Sequence, residues 1–532
     1  MLGTSLSMTK YNWESVSVEG KTNVNEVING QLNTSDKPAG FLDPNFPTIS
    51  GGVGGTYFGT GSYWEYNRAS FFGRINYNFN DRYLFQFTFR EDGSSKFGAD
   101  SRWGFFPSVA VGWRISEEPF FPKNTVISNL KFRASWGQLG NENALGKYDF
   151  LARISSYNDM YMGYVQGAGS NPWTGSIARA LENRSLKWET TDTKNIGFDF
   201  GLFGNHLNGN VNYYINETRD LLITRRIAPS AGLDNPTLNV GKMRNQGFEL
   251  ELNWNDKISD FEYNVGFNIS TIANKVVALA NEDQTIYGVG LKYGTEHFPT
   301  QTKVGKPIGA FYLYQADGIF QSLEEVQAHK NSKGELLQPN AQPGDVRFKD
   351  MNGDGVIDED DKTYSGTGIA KVEANLNLGA SYKGFDFSAV IGSAFGNKLY
   401  NGIRYYYEGM NSGSNFLKTT LNAWTPTNTK TDIPRAVFGD PNQNTRESTR
   451  FLENGDFVRL RQVQLGYTLP KALSKHIYCE SIRFYVSAEN VFTITGYSGA
   501  NPEFSQGVLN SGIDRFTYPF SRSYTVGAQV SF

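Results

Sequence analysis

Residues 83–90 read YLFQFTFR and residues 261–269 read FEYNVGFNI. Tyr83, Phe85, Phe87 and Phe89 are aromatic at every second position, with Gln86, Thr88 and Arg90 between them. Phe261, Tyr263, Val265, Phe267 and Ile269 alternate in the same way with Asn264, Gly266 and Asn268. Successive side chains of a β-strand leave on opposite sides, so a strict period of two predicts a strand with one oily and one wet face. The pattern recurs at 69–79, 109–115, 130–136, 189–202, 207–217, 248–254, 374–382, 385–395, 457–469, 482–492 and 523–532. That predicts thirteen strands, with a weaker half-strand near 10–18 (Tyr11, Trp13) as a fourteenth. Only 321–330 reads as a short amphipathic helix.

Connection lengths sharpen the reading. Short turns at 78–81, 203–209, 255–260, 382–384 and 471–481 alternate with long Gly/Asn/Ser-rich loops at 19–68, 138–187, 218–243, 271–373, 396–455 and 496–520. Up-and-down strands with short turns at one end and long loops at the other are the signature of a transmembrane antiparallel β-barrel. A soluble sandwich would turn its aromatics inward. Here strand after strand carries Phe, Tyr and Trp on one face and Asn, Arg, Glu and Gly on the other, the arrangement that lipid outside and water inside demand. If Phe532 lies on the periplasmic side, every short turn falls in the periplasm and every long loop outside. That parity requires 271–373 to be one extracellular insertion, with Ile308–Phe320 a loop element and not a membrane strand.

Composition excludes several other classes. Lys+Arg 50 against Asp+Glu 53 gives a net charge of −3 over 532 residues, no basis for holding nucleic acid. No run of 18 apolar residues exists to span a membrane as a helix. One cysteine, Cys479, excludes a disulfide framework, and His206, His297, His329 and His476 are too scattered for a histidine metal site. The first residues, MLGTSLSMTKYNWESV, lack a secretory signal, which leaves a cytoplasmic protein or a chain that is not the true start of its gene product. The barrel pattern favours the second.

Several motifs together resemble the SusC/RagA family of TonB-linked outer-membrane proteins. They are DGSSKFG (92–98), RWGFFPS (102–108), GWRISEE (112–118), SWGQLGN (135–141), NVGKMRNQGFE (239–249), GDVRFKDMNGDGVID (344–358), GDFVRLRQVQLGYTLP (455–470) and AENVFTITGYSGANPE (488–503). The resemblance covers nearly all of 60–532. It implies import of glycans or oligosaccharides, and sometimes peptides, across the Gram-negative outer membrane. It implies a SusD-like surface lipoprotein as lid and energy from the TonB complex acting on a plug. Members are about twice as long, with a signal peptide, a plug and a barrel of about 22 strands. The expectation is therefore the C-terminal portion of such a barrel, about 14 strands, with plug domain and signal peptide absent. The alternatives are a truncated non-functional fragment, or a passive porin or surface-binding barrel.

Two sets of site residues stand out. DMNGDGVIDEDD (350–361) fits an EF-hand-type calcium loop: Asp350, Asn352 and Asp354 at positions 1, 3 and 5, the Val356 carbonyl at 7, Asp358 at 9 and Asp361 at 12, where Glu is usual. Calcium in a structural role is the expected cofactor, with an Asx-rich solvated turn as the bland alternative. Aromatics in the long loops offer flat faces for a sugar or a partner lid. Trp64, Tyr161, Trp173, Tyr405, Tyr406 and Trp424 are the candidates for ligand or partner contact; ordering of the loops is the competing role. Arg74, Arg133, Glu249, Glu251, Arg459 and Arg461 read as a solvated wall network. No nucleophile elbow, P-loop or paired carboxylate stands out, so no enzymatic activity is expected.

Overall fold

The computed structural model describes the chain apart from residues 20, 29–30, 39–55, 123–125, 153, 157–175, 179, 181, 225–226, 280–284, 294, 411–414, 477 and 505, and side chains outside 12–62, 153–179 and the short stretches 229, 292–296 and 475. Fourteen strands pair antiparallel in chain order: β1 (Leu2–Glu19), β2 (Thr56–Phe79), β3 (Tyr83–Ser94), β4 (Trp103–Arg114), β5 (Ile127–Asn141), β6 (Glu189–Leu202), β7 (Leu207–Arg219), β8 (Lys242–Ile258), β9 (Phe261–Thr271), β10 (Val372–Tyr382), β11 (Phe385–Phe395), β12 (Phe457–Thr468), β13 (Ser481–Thr495) and β14 (Ser523–Ser531). A short strand, Ala273–Ala278, pairs alongside the upper part of β8. All thirteen expected strands are present, and the half-strand near 10–18 belongs to β1. Among the described residues three short α-helices lie outside the sheet: α1 (Leu323–Ala328), α2 (Gly402–Tyr407) and α3 (Lys471–His476). The sequence signalled α1, whose N-cap Ser322 accepts from the Glu325 backbone. It did not signal α2 or α3.

Register turns alternation into two surfaces. One cross-strand row runs Tyr263, Ala380, Phe387, Leu465, Val486, Val526. The next row runs Asn264, Gly379, Ser388, Gln464, Ser487, Thr525. Neighbouring rows leave the sheet on opposite sides, so these six strands present their apolar residues to the same face. That face is outward: Ile75, Phe248, Leu465 and Phe484 are 49–61% exposed. Such a band of exposed rings is stable only against lipid.

Turn chemistry sets the register at the short end. Lys383 (φ 47°) and Gly384 (φ 89°) form a two-residue turn between Tyr382 and Phe385. Positive φ at both central residues matches the twist of the flanking strands. Ser259–Asp260 closes Ile258 onto Phe261 in another two-residue turn.

One irregularity matters for the inner face. Along β12 the odd residues Val463, Leu465 and Tyr467 lie on the oily side, so unbroken alternation would send Arg459 and Arg461 into lipid. Pairing skips Arg461 on both sides, with Gln462 opposite Val390 and Leu460 opposite Ile391. This one-residue bulge swaps the faces. Arg459 then joins the polar row Glu251, Asn268, Asn375, Gly392, Thr493.

Between β9 and β10, which pair directly from Phe261↔Tyr382 to Thr271↔Val372, the chain adds Ala273–Ala278 to the edge of β8 and then leaves the main sheet until residue 371. Ala310–Leu313 and Ala316–Ile319 join small separate sheets there. They are not wall strands.

Candidate functional site: the polar wall and the loop body

The inner face is a lattice of paired charges. Arg133 donates to Asp199 (2.8 Å) and Asn212 (2.6 Å), and Lys131 reaches Asp199 at 3.3 Å. Glu251 accepts from Asn210 and Asn253 at 2.9 Å. Arg74 donates to Thr88. Bulge-turned Arg459 is buried and donates to Thr493 (2.8 Å), Glu503 (2.8 Å) and Asn501 (2.6 Å), while Arg461 shares Glu503 at 3.0 Å. Most of these charges are partly solvated and mutually neutralised, which makes a hydrogen-bonding wall without a strong field of either sign.

At the long-loop end three connections merge into one folded body. Leu291, Phe311 and Leu313 from 272–371 pack with Tyr400, Tyr405 and Phe451 from 396–456 and with Ile513 from 496–522, all essentially solvent-free. Strand Lys398–Asn401 pairs antiparallel with Leu452–Asn454 and parallel with Ile513–Asp514. Buried charges lock the seams. Arg435 holds Asp345 through two bonds at 2.8 and 3.0 Å. Glu447 takes Lys362 at 2.5 Å and is also paired with His297. Burial alone would raise the Glu447 carboxyl; the His297 hydrogen bond and the Lys362 charge outweigh it and hold the group at about 2. Arg404 contacts Glu408 (3.0 Å), Glu453 (3.2 Å) and Asp432 (2.8 Å), and Arg450 donates to Glu408 at 2.9 Å. Burial pulls the Arg450 guanidinium down to about 10. Apart from the one-turn pair Arg404–Glu408, partners in these clusters sit tens of residues apart, so no local motif announces them.

The acidic loop 350–361 folds on its own backbone. Asp350 accepts from Gly353 (2.6 Å) and Gly355 (2.9 Å), Asn352 from Asp354 (2.9 Å), and Asp354 from Val356 (2.9 Å). Asp361 is fully buried and accepts from Met351 (2.6 Å) and Asp358 (2.8 Å). Gly353 and Gly355 have φ of 78° and 91°, a wrap that a side chain would strain. The donor set, all oxygen, suits a hard cation. Among the described residues no three His, Cys, Asp or Glu side chains converge on one point.

Of the six aromatics singled out for contact, Tyr161 and Trp173 lie outside the described residues. Two expectations need correction. Tyr405 is fully buried in the loop core, and Trp424 is nearly buried with its ring nitrogen donating to Gln321 at 2.9 Å. Both order the body because their rings fill its apolar interior. Tyr406 stays half-buried beside Phe516. Trp64, at the top of β2, stacks on Tyr11 and carries Lys147 over its ring at 3.4 Å.

An open sheet of this size, greasy outside and polar inside, with folded loops at one end, defines the wall of an outer-membrane barrel. The family described as TonB dependent receptor-like, beta-barrel matches residues 4–491, and the chain belongs to it. It is an outer-membrane protein of the SusC/RagA type. The TonB-dependent receptor SusC of Bacteroides thetaiotaomicron is 31% identical over 475 residues, covering 87% of this chain and 44% of that protein. TonB-dependent receptor P3 of Formosa agariphila is 31% identical over 477 residues, covering 88% and 46%. A structure of the RagAB peptide importer in the closed-closed state covers 100% of this chain and 53% of that one, with a TM-score of 0.75 and 25% identity. The chain thus spans about half the length of the relatives it matches.

Proposed function

We propose that this chain is the C-terminal part of the wall of a TonB-dependent importer that carries large nutrients across the outer membrane, glycans or oligosaccharides first, with peptides as the alternative. The observation that carries this reading is the superposition of the whole of this chain on about half of the RagAB peptide importer chain, joined to an inner face made of paired polar groups. Such a face lets a hydroxylated or amide-bearing solute slide past without a deep electrostatic trap. The long-loop end faces outside the cell, and a SusD-like lipoprotein closes over it. A plug supplied with the rest of the barrel links it to the TonB complex. The edges of β1 and β14, which do not pair with each other among the described residues, join further strands, because lipid tolerates no unpaired edge.

Calcium, held by Asp350, Asn352, Asp354, the Val356 carbonyl, Asp358 and Asp361, stiffens the 350–361 loop in this reading. No catalysis is assigned.

Deletion of the gene in its host, followed by growth on defined glycans and on peptides as sole nutrient, tests the proposal. Loss of growth on one class, restored by the intact gene, is expected. Unchanged uptake of both classes overturns it. Protease treatment of whole cells should cut within 272–371 and 396–456; cleavage confined to the short turns would invert the orientation.

A further inference from the structure

Three neighbouring strands change chemistry together on the lipid-facing side. On β6 the outward residues run Phe198, Ile196 and then Lys194 and Asp192. On β7 they run Val211, Tyr213, Ile215 and then Glu217 and Arg219. On β8 they run Leu250, Phe248, Gln246 and then Arg244 and Lys242. Register gathers the charges into one patch. Asp192 stands opposite Glu217, Glu217 opposite Arg244 and Arg244 opposite Lys275, with Arg219 opposite Lys242 in the next row up. Lys194 lies one row below, between Trp136 and Ile215. This is the long-loop end, because the short turn 203–206 joins β6 and β7 at their far ends. Between β10 and β11, by contrast, the same face stays apolar to the last pair, Val372 opposite Phe395.

The charges in these rows do not cancel. Lys194, Arg219, Lys242, Arg244 and Lys275 are five cations against two carboxylates, Asp192 and Glu217. Glu217 already holds Lys242 at 2.9 Å and Arg244 at 2.8 Å. Asp192 accepts from Gln138 at 2.8 Å and meets Arg219 at 3.4 Å. Lys194 and Lys275 are exposed and have no carboxylate partner among the described residues. Depth separates the signs as well. The two carboxylate side chains are 17–18% exposed and those of Arg219, Lys242 and Arg244 are 39–47% exposed, so the cations form the outer layer. Unpaired lysines are costly in hydrocarbon and stable at headgroup level, directly above an apolar band that carries aromatic rings.

We propose that this patch binds the phosphate of an anionic lipid in the outer leaflet, with the lipid's acyl chains lying on Ile196, Tyr213 and Phe248 below. Phosphate oxygens accept from several cations at once: the arginines offer forked donors and the free lysines point charges. The surplus of positive charge matches an anion, and the apolar shelf beneath matches its chains. A free phosphate ion would leave that shelf unused, and an acidic protein would have to enter the edge of the bilayer to reach Lys194. The patch faces lipid and not the bore, so it stands whatever the barrel imports.

The test uses the full-length protein, purified from outer membranes, stripped of lipid in detergent and titrated with lipid A while native mass spectrometry counts the bound lipid. Dephosphorylated lipid A and inorganic phosphate are the comparison ligands. Lys194→Gln and Lys275→Gln together remove the two cations that hold no carboxylate, which leaves the ion pairs of the wall intact. Lys383→Gln, in the turn at the opposite end of the wall, is the control. Heat-modifiable mobility on gels reports that each variant still folds. Parent and control should bind lipid A alike, and the double variant should bind it about tenfold or more weakly, each cation at headgroup level being worth about fivefold. Dephosphorylated lipid A should bind the parent more weakly than lipid A by a similar factor. Equal affinity for the two lipids, undiminished lipid A binding in the folded double variant, or inorganic phosphate binding as tightly as lipid A overturns the proposal.

Discussion

The wall and the loop body are made from the same kinds of residue and put them in opposite places. In the wall, Phe248 and Phe484 face outward and are half-exposed or more. In the loop body, Phe311, Tyr400 and Phe451 are sealed away from solvent. Charges invert likewise: the wall keeps Arg133 and Asp199 partly wet, whereas the loop body buries Glu447 and Lys362 almost fully. One chain therefore solves two solvent problems, and the boundary between them is where each strand leaves the bilayer.

The largest effect expected from breaking this contrast is in the loop body. Phe451→Ala should remove about 3–5 kcal/mol from its stability, the cost of a large core cavity. Limited proteolysis should then cut 396–456 while the barrel keeps its heat-modifiable mobility; simultaneous loss of both would mean the two regions are one cooperative unit. Acid probes the same region. The depressed Glu447 carboxyl stabilises the folded state fully above its unfolded value of about 4.5 and loses that contribution as pH falls through about 2, a total of about 3 kcal/mol. Proteolytic susceptibility of the loop body should climb across that window, and Glu447→Gln should flatten the climb while lowering stability at neutral pH.

On the wall, Val265→Arg places a charge in the lipid-facing row and should cost about 2–4 kcal/mol near the bilayer midplane. Unfolding titrations in lipid vesicles measure it, with Val265→Ala as the milder comparison. A negligible cost would mean that this row does not meet lipid. Calcium at about 10 mM should protect the 350–361 loop from proteolysis by about 1–3 kcal/mol if the dissociation constant lies at 10⁻⁴–10⁻³ M, and Asp361→Asn should abolish the protection. The smallest effect belongs to Lys147→Ala, which removes the cation over Trp64 and should cost about 0.5–1 kcal/mol, read from the thermal stability of the β2 end.

Much of the wall was legible because alternation is local: a strand reports its two faces within eight residues, as YLFQFTFR does. That 350–361 is a tight turn was legible for the same reason, its Asx side chains and glycines being spaced along one short stretch. Tyr405 and Trp424 were misjudged as contact residues because a ring in a Gly-rich loop looks the same in sequence whether it faces solvent or fills a core. Arg404, Arg450 and Glu447 carried no signal: Glu447 finds Lys362 and His297 in another connection, and Arg404 and Arg450 find Asp432, Glu453 and Glu408 mostly tens of residues away within their own.

Sequence by itself determined that oily and wet residues must part company across a long antiparallel sheet, because strand geometry converts a period of two into two surfaces whatever the rest of the chain does. Only the tertiary structure decided that a bulge at Arg461 turns Arg459 inward, that three loops share one core, and that Glu142, just past the end of β5, reaches across to Arg68 on β2. Those outcomes depend on which segments meet in space, and no spacing along the chain encodes that meeting.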